Sequence, residues 1–213
     1  MDREIYLHAI NSVPDDYYHP DETNKTLLQI LKRRALLSTK LQRRRPTGGF
    51  NGRDYVSLCD YDKRNDYKKF MGKYNAFYIY VRYSLSLAFP KDKISVIKPK
   101  VLDGVYVRDS KGYAEMEKIG KSKSEKRCTD MPDEVQVKDK VSLDNLCATT
   151  FPLHLLKGYG NSSIDELSSI IMFEIEEIDK LLSRFGYDIP IYDIDTFEEL
   201  TSTSTIKMIL RNK

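Results

Sequence analysis

The stretch Asp133–Pro152, DEVQVKDKVSLDNLCATTFP, decides the predicted fold. Apolar residues alternate with polar ones on both sides of a Lys138-Asp139-Lys140 turn, as half-buried strands require. The alternating apolar residues are Val135, Val137, Val141 and Leu143. An uncharged run, 147–151, follows and is closed by Pro152. The stretch therefore predicts strand, turn, strand and a further short apolar segment.

Glu134 stands at the start of this unit, where the sheet begins and a cleft can open. A single carboxylate on a strand is most often solvated surface. Its importance therefore depends on the residues that accompany it upstream, at His8 and around Tyr55.

Composition limits the class of protein. The chain has 213 residues, of which 40% are hydrophobic and 31% charged, which suits one domain with or without an appended helical piece. A net charge of +3 is too small to indicate a nucleic-acid binder by itself. No apolar run approaches the roughly 18 residues that a membrane helix needs, so no membrane association is predicted.

The cysteines and histidines of the sequence bear on the cellular compartment and on metal binding. The three cysteines are far apart and lack CxxC spacing, which favours a reducing, cytoplasmic compartment. None of the three histidines is paired with a cysteine at ligand spacing, so we predict no metal site. The N-terminus MDREIYLHAI has acidic residues and no cleavage pattern, which is not a signal peptide.

Outside the opening stretch, the pattern predicts an α+β protein. Residues 4–10 form an opening strand, and Asn24 caps a helix. The predicted later elements are a strand at 55–59, the strongest strand signal at 75–89, shorter strands at 94–98 and 104–108, a helix from Ser162 or Ser163 to Gly186, and a strand at 189–194. The polar segment 110–130 is predicted to be an insertion or mobile loop. We expect a catalytic domain over 1–160 and a C-terminal helical extension over 161–213.

Three separated segments resemble the ADP-ribosyltransferase superfamily, in particular its His-Tyr-Glu branch. The segments are YLHAI at 6–10, GRDYVSLC at 52–59 and DEVQV at 133–137. Their order and predicted strand placement match the three motifs of the family over about residues 4–152. The resemblance implies a split β-sheet core with flanking helices and a C-terminal helix. It also implies NAD as the substrate.

The resemblance implies roles for three residues in binding and cleaving NAD. Cleavage between nicotinamide and ribose passes through an oxocarbenium-like state, and Glu134 would stabilise its developing positive charge. His8 would hydrogen-bond the ribose on the adenosine side. The backbone of Ala9, where the family usually has Gly, would hold the nicotinamide amide.

The resemblance implies further NAD contacts from three other side chains. Tyr55 would stack on the nicotinamide ring, and Tyr67 would close the other face. Ser57 would hydrogen-bond the carboxamide or support Glu134.

The acceptor is predicted from what the sequence lacks. Arginine-modifying members carry a carboxylate two residues before the catalytic glutamate, and Pro132 occupies that place here. A small stand-alone domain of this kind resembles bacterial, viral or phage toxins and effectors, some of which are delivered into the cytosol of a target cell. We expect a mono-ADP-ribosyltransferase that modifies a macromolecule. A protein side chain other than Arg is favoured over nucleic acid, because no interleaved basic and aromatic surface is evident.

Two alternatives remain open from the residues. One is a catalytically silent module that binds ADP-ribose, nucleic acid or a partner protein, which would need the cleft but not Glu134. The other is an NAD-dependent RNA 2′-phosphotransferase, which would need several arginines in the cleft. Arg53 and Arg82 are its candidates.

Overall fold

The computed structural model describes residues 4–10, 20–42, 54–66, 77–98, 100–102, 105–107, 128–130, 133–156 and 162–212. Outside these ranges lie Tyr67, Arg53, most of the segment 110–130 and a run of three arginines in the sequence, Arg43-Arg44-Arg45. The strands within them are β1 (Ile5–Ala9), β2 (Ala35–Leu37), β3 (Tyr55–Asp60), β4 (Ser86–Pro90), β5 (Lys100–Leu102), β6 (Val105–Val107), β7 (Cys128–Asp130), β8 (Glu134–Lys138), β9 (Lys140–Ser142), β10 (Ala148–Phe151) and β11 (Ile191–Asp193). The α-helices are α1 (Pro20–Arg33), α2 (Phe77–Arg82), α3 (Leu153–Leu156), α4 (Ile164–Arg184) and α5 (Thr203–Asn212). Short 3-10 turns occupy Tyr61–Asp66, Lys91–Lys93 and Leu143–Asn145.

A six-stranded sheet in the order β11-β10-β4-β1-β3-β8 forms the centre of the fold. All neighbours are antiparallel except β10 and β11, which run parallel. A two-stranded sheet, β2-β9, and a three-stranded sheet, β6-β5-β7, complete the strands. The predicted α+β class, with flanking helices and a C-terminal helix, is confirmed.

The two faces of the central sheet bury different clusters, as the alternation of side chains along β1 requires. Tyr6 and Ile10 belong to the larger cluster, which contains the apolar stripes of α1 and α4. Ile5 and Leu7 belong to the smaller one, with Tyr78 and residues of β3 and β10. Both faces are covered, so the sheet is a rigid base for side chains at its open end.

The sheet is split between β1 and β3. β1 pairs with β4 over five residues, and β3 pairs with β8 over five. Between β1 and β3 only Tyr6 with Asp60 and Leu7 with Cys59 are paired. From His8 onward the ladder between the two strands stops, at the end of the sheet that carries Ala9 and Tyr55.

The strand predicted over 75–89 is wrong in its first half. Phe77–Arg82 is helical, and the strand begins only at Ser86. The backbone N–H of Tyr78, in the first turn of α2, donates to the buried carboxylate of Asp133 at 2.6 Å. A helix N-terminus needs such partners for its free N–H groups. Asp133 is remote in sequence, so local alternation could not anticipate it.

The expected strand, turn, strand unit exists, but its strands do not pair with each other. β8 pairs with β3, whereas β9 pairs with β2 in the separate two-stranded sheet. The turn residue Asp139 has φ of 63°, a conformation that Asp tolerates better than most residues. The turn therefore sends the chain from one sheet to another.

The helix limits follow capping chemistry. Ser163 caps α4 through a capping box with Glu166, and Gly186 follows its end with φ of 84°, as expected. The predicted cap at Asn24 is wrong, because α1 begins at Pro20. Proline is favoured in a first turn, where its missing N–H removes no helical hydrogen bond.

β11 lies within the predicted strand 189–194 and joins the central sheet beside β10.

Candidate active site

Glu134 is the first residue of β8 and is 2% exposed. Its Oε1 accepts hydrogen bonds from the hydroxyl of Ser57 and the side-chain amide of Gln136, both at 2.9 Å. Because Glu134 lies opposite Cys59, all these side chains project from one face of the sheet. The carboxylate is thus directed along the strand toward the split.

The chain fixes Glu134 from both sides. The carbonyl of Asp133 accepts from the N–H of Asp60, while its carboxylate binds the start of α2. Two residues after Glu134, Gln136 exchanges two backbone hydrogen bonds with Ile97, at 2.8 and 2.9 Å. Glu134 therefore lies between two anchored neighbours.

Cys59, the cross-strand partner of Glu134, carries an uncharged thiol. Cys59 is fully buried beside Asp133, Asp60 and Glu134. Burial and these carboxylates raise the pKa of the Cys59 thiol well above its usual range, so it remains neutral. The β3 side chains on the same face as Glu134, at Ser57 and Cys59, are therefore uncharged.

His8 occupies the point where β1 leaves β3. Its Nδ1 lies 3.0 Å from the backbone carbonyl of Ser57, and a carbonyl can only accept, so Nδ1 carries the proton. Burial lowers the pKa of His8, and the hydrogen bond to Ser57 opposes that shift only in part. The imidazole is therefore neutral near pH 7, with Nε2 as an acceptor.

The backbone of Ala9 points into the split. The N–H of Ile10 donates to the carbonyl of Leu85, the residue before β4, and antiparallel strands alternate the direction of their polar groups. The N–H and C=O of Ala9 are thus directed toward β3. The Ser57 carbonyl, which a continued ladder would offer to Ala9, instead accepts from His8.

Tyr55 begins β3, half-buried and on the same sheet face as Ser57. Its cross-strand partner is Lys138. The register places His8 on the opposite face from Glu134, and the two are connected through Ser57. The structure thus brings His8, Ser57 and Glu134 into one hydrogen-bonded chain, with Ala9 and Tyr55 at the edge of the split. Tyr67 lies outside the described residues.

Sequence reasoning missed the parts that Asp133 and Gln136 take in this arrangement. The signal for Gln136 was present, since residues two apart on a strand share a face. The signal for Asp133 was not, because its partner at Tyr78 lies 55 residues away in sequence.

Three exposed lysines, together with Asp54 and Asp139, lie near the Tyr55 end of the split. Lys138 and Lys140 are exposed on either side of the Asp139 turn. Lys40 is exposed and pairs with Asp54, the residue before Tyr55, at 3.2 Å. We call Lys40, Lys138 and Lys140 the lysine rim. Lysines therefore interleave with an aromatic ring here, a feature of nucleic-acid surfaces.

Arg82, a candidate for the phosphotransferase alternative, forms an ion pair with Asp195 at 2.9 Å. Asp195 also lies 3.2 Å from Nδ1 of His154.

Among the residues described, no three His, Cys, Asp or Glu side chains are grouped to hold a metal ion. No helix in the described ranges is long and apolar enough to cross a membrane.

No protein-family model and no curated protein matches the chain. Two solved structures are similar to it: DarT of Thermus sp. 2.9 in complex with NAD+, at 14% identity and a TM-score of 0.41, and the same protein in complex with carba-NAD+, at 13% and 0.39. Each match covers 90% of this chain and 95% of the other.

The expected preference for a protein acceptor over nucleic acid is corrected. The preference rested on the absence of an interleaved basic and aromatic surface, whereas the structure places the lysine rim beside Tyr55. Folding assembles it from positions 40, 55, 138 and 140, which is why it is not evident along the sequence.

Proposed function

We propose that this chain is an NAD-dependent mono-ADP-ribosyltransferase of the His-Tyr-Glu type, with Glu134 as its catalytic residue. The single observation that carries the proposal is the hydrogen-bonded chain from His8 through Ser57 to Glu134 at the split between β1 and β3. A buried carboxylate held by neutral donors is an arrangement suited to stabilising positive charge.

The reaction breaks the bond between the anomeric carbon of the ribose and the nicotinamide nitrogen. The bonding electron pair leaves with nicotinamide, which departs neutral, and the anomeric carbon becomes electron-poor. An acceptor nucleophile then bonds to that carbon and loses its proton. Glu134 stabilises the positive charge between these events, because a fixed carboxylate needs no reorganisation when the charge develops.

The remaining proposed residues position NAD. The N–H and C=O of Ala9 face the split and match the complementary groups of the nicotinamide carboxamide. Neutral His8 offers Nε2 to a ribose hydroxyl, which donates to it. Tyr55 provides an aromatic surface for the nicotinamide ring at the same edge.

We propose a nucleic-acid acceptor, and the lysine rim supports it. Lys138 is the cross-strand partner of Tyr55, and Lys140 and Lys40 are nearby on the β9 and β2 side. Lysines at the mouth of a site attract a phosphate backbone. An unstacked base can then approach the ribose as the nucleophile.

The test measures the rate of nicotinamide release from NAD by wild-type protein and by Glu134→Gln. Each protein is assayed with single-stranded DNA, with RNA, and in buffer without an acceptor. Glutamine keeps the shape and the capacity to accept from Ser57, but it carries no charge. We expect the rate to fall by about two orders of magnitude or more, with NAD binding retained. A wild type that binds NAD but releases no nicotinamide with any acceptor would instead identify a silent binding module.

A further inference from the structure

Gln136 is a fully buried amide on the same strand face as Glu134. Its Nε2 donates to Oε1 of Glu134 at 2.9 Å, the same oxygen that accepts from Ser57. Ser57 and Gln136 are direct cross-strand partners in the β3-β8 register. Two neighbouring side chains from adjacent strands therefore converge on one carboxylate oxygen.

The Ser57–Gln136 pair is a buried polar pair. Leu7 and Cys59, on the same face of β1 and β3, belong to a buried apolar cluster. A buried amide is unfavourable there unless it is hydrogen-bonded. An apolar residue at 136 would serve packing better, so the amide requires another explanation.

We propose that Gln136 is a positioning residue that fixes the rotamer of Glu134 for catalysis. This inference rests on the proposed function and names a residue that its mechanism does not yet use. With Ser57, Gln136 restrains Oε1 from two directions, so the carboxylate plane cannot rotate about its last side-chain bond. The orientation of the carboxylate is then set before the substrate binds.

The backbone of Gln136 makes the restraint firm. Its N–H and C=O are both bonded to Ile97 on the outer side of β8, and Ser57 holds the inner side through the sheet register. The main-chain position from which the amide reaches Glu134 is therefore held in place. The backbone of Ser57 is restrained as well, because its carbonyl accepts a hydrogen bond from His8.

The test uses two substitutions that differ in their capacity to donate. Gln136→Met keeps the length of the side chain and cannot donate. Gln136→Glu keeps the shape, cannot donate when ionised, and can donate again when its introduced carboxyl is protonated. Gln42→Met is the matched control, because Gln42 also donates its amide, but to the carbonyl of Leu37 outside the central sheet.

Steady-state kinetics with NAD are measured for all four proteins between pH 5.5 and pH 8. For Gln136→Met we expect kcat to fall about tenfold to a hundredfold at all pH values, since one preorganised donor is lost. The KM for NAD should stay within about twofold, because orientation of the carboxylate acts in the transition state. For Gln136→Glu, the loss in kcat relative to wild type should shrink about tenfold as the pH falls to 5.5. Gln42→Met should match wild type.

Several results would overturn the proposal. One is a kcat of Gln136→Met equal to that of wild type, with or without a rise in KM. Another is the same pH dependence of kcat in Gln136→Met and Gln136→Glu. If wild-type protein releases no nicotinamide, the proposed function fails, and the positioning is then judged from crystal structures of wild type and Gln136→Met. A Glu134 carboxylate that keeps its wild-type rotamer in the variant would contradict the inference, and one that rotates away from Ser57 would support it.

Discussion

The hydroxyl of Ser57 donates to Oε1 of Glu134 across 2.9 Å, over a sequence separation of 77 residues. The same residue accepts from His8 through its backbone carbonyl. Ser57 is therefore the connection between the residue that marks the split in the sheet and the proposed catalytic carboxylate. Substitutions here test whether the connection matters for the reaction.

Ser57→Ala should lower kcat for nicotinamide release by about tenfold, because Glu134 loses a donor that orients it. The hydrogen bond from His8 to the backbone carbonyl should persist, so NAD binding should change little. A double-mutant cycle with Gln136→Met provides the control. Both donors act on one oxygen, so their effects on kcat should be markedly non-additive. Strict additivity would show that they act independently.

His8 should make the protein less stable in acid. Its pKa is lowered in the folded state from the ordinary value of 6.5, so below that value the unfolded chain binds more protons than the folded one. The free energy of unfolding therefore falls as the pH decreases from 6.5 toward the lower folded pKa, and it is unaffected above 6.5. Urea unfolding of wild type and His8→Asn at pH 7.5 and pH 5 measures this. The wild type should lose more stability than the variant, and equal losses would contradict the assignment.

Asp133→Asn should destabilise the fold by about 1–3 kcal/mol, because it weakens a charge-assisted hydrogen bond to the start of α2 at a fully buried position. Urea denaturation gives the free energy of unfolding. Asp92→Asn is the matched control, since Asp92 is exposed and pairs only weakly with its neighbour Lys93 at 3.4 Å. A loss below about 0.5 kcal/mol for Asp133→Asn would indicate that α2 does not depend on this contact.

The lysine rim should govern acceptor binding without affecting NAD. Lys138→Glu with Lys140→Glu should weaken binding of single-stranded nucleic acid and reduce the slope of log K against log salt by about one to two, since up to two phosphate contacts are lost. Fluorescence anisotropy over a salt series measures this. Lys93→Glu, which reverses the charge of an exposed lysine at the opposite end of the sheet, should behave as wild type. An unchanged salt slope in the double variant would place the acceptor elsewhere.

The sequence by itself determined the features that depend on local pattern. Alternation fixed β1, β3 and β8, and the spacing of the long apolar stripe together with Ser163 and Gly186 fixed α4. The resemblance of three short motifs to the ADP-ribosyltransferase superfamily also indicated His8, Ser57 and Glu134 as candidate residues. These features need no information beyond neighbouring residues.

Only the tertiary structure decided how those pieces meet. The helix at Phe77–Arg82 forms where alternation predicted a strand, because the buried carboxylate of Asp133, the residue before β8, binds its first turn. The split after Leu7, the convergence of Ser57 and Gln136 on Glu134, and the lysine rim all join residues distant in the chain. Hydrogen bonds and charges between such residues exist only after the strands have paired in register, so no local pattern can encode them.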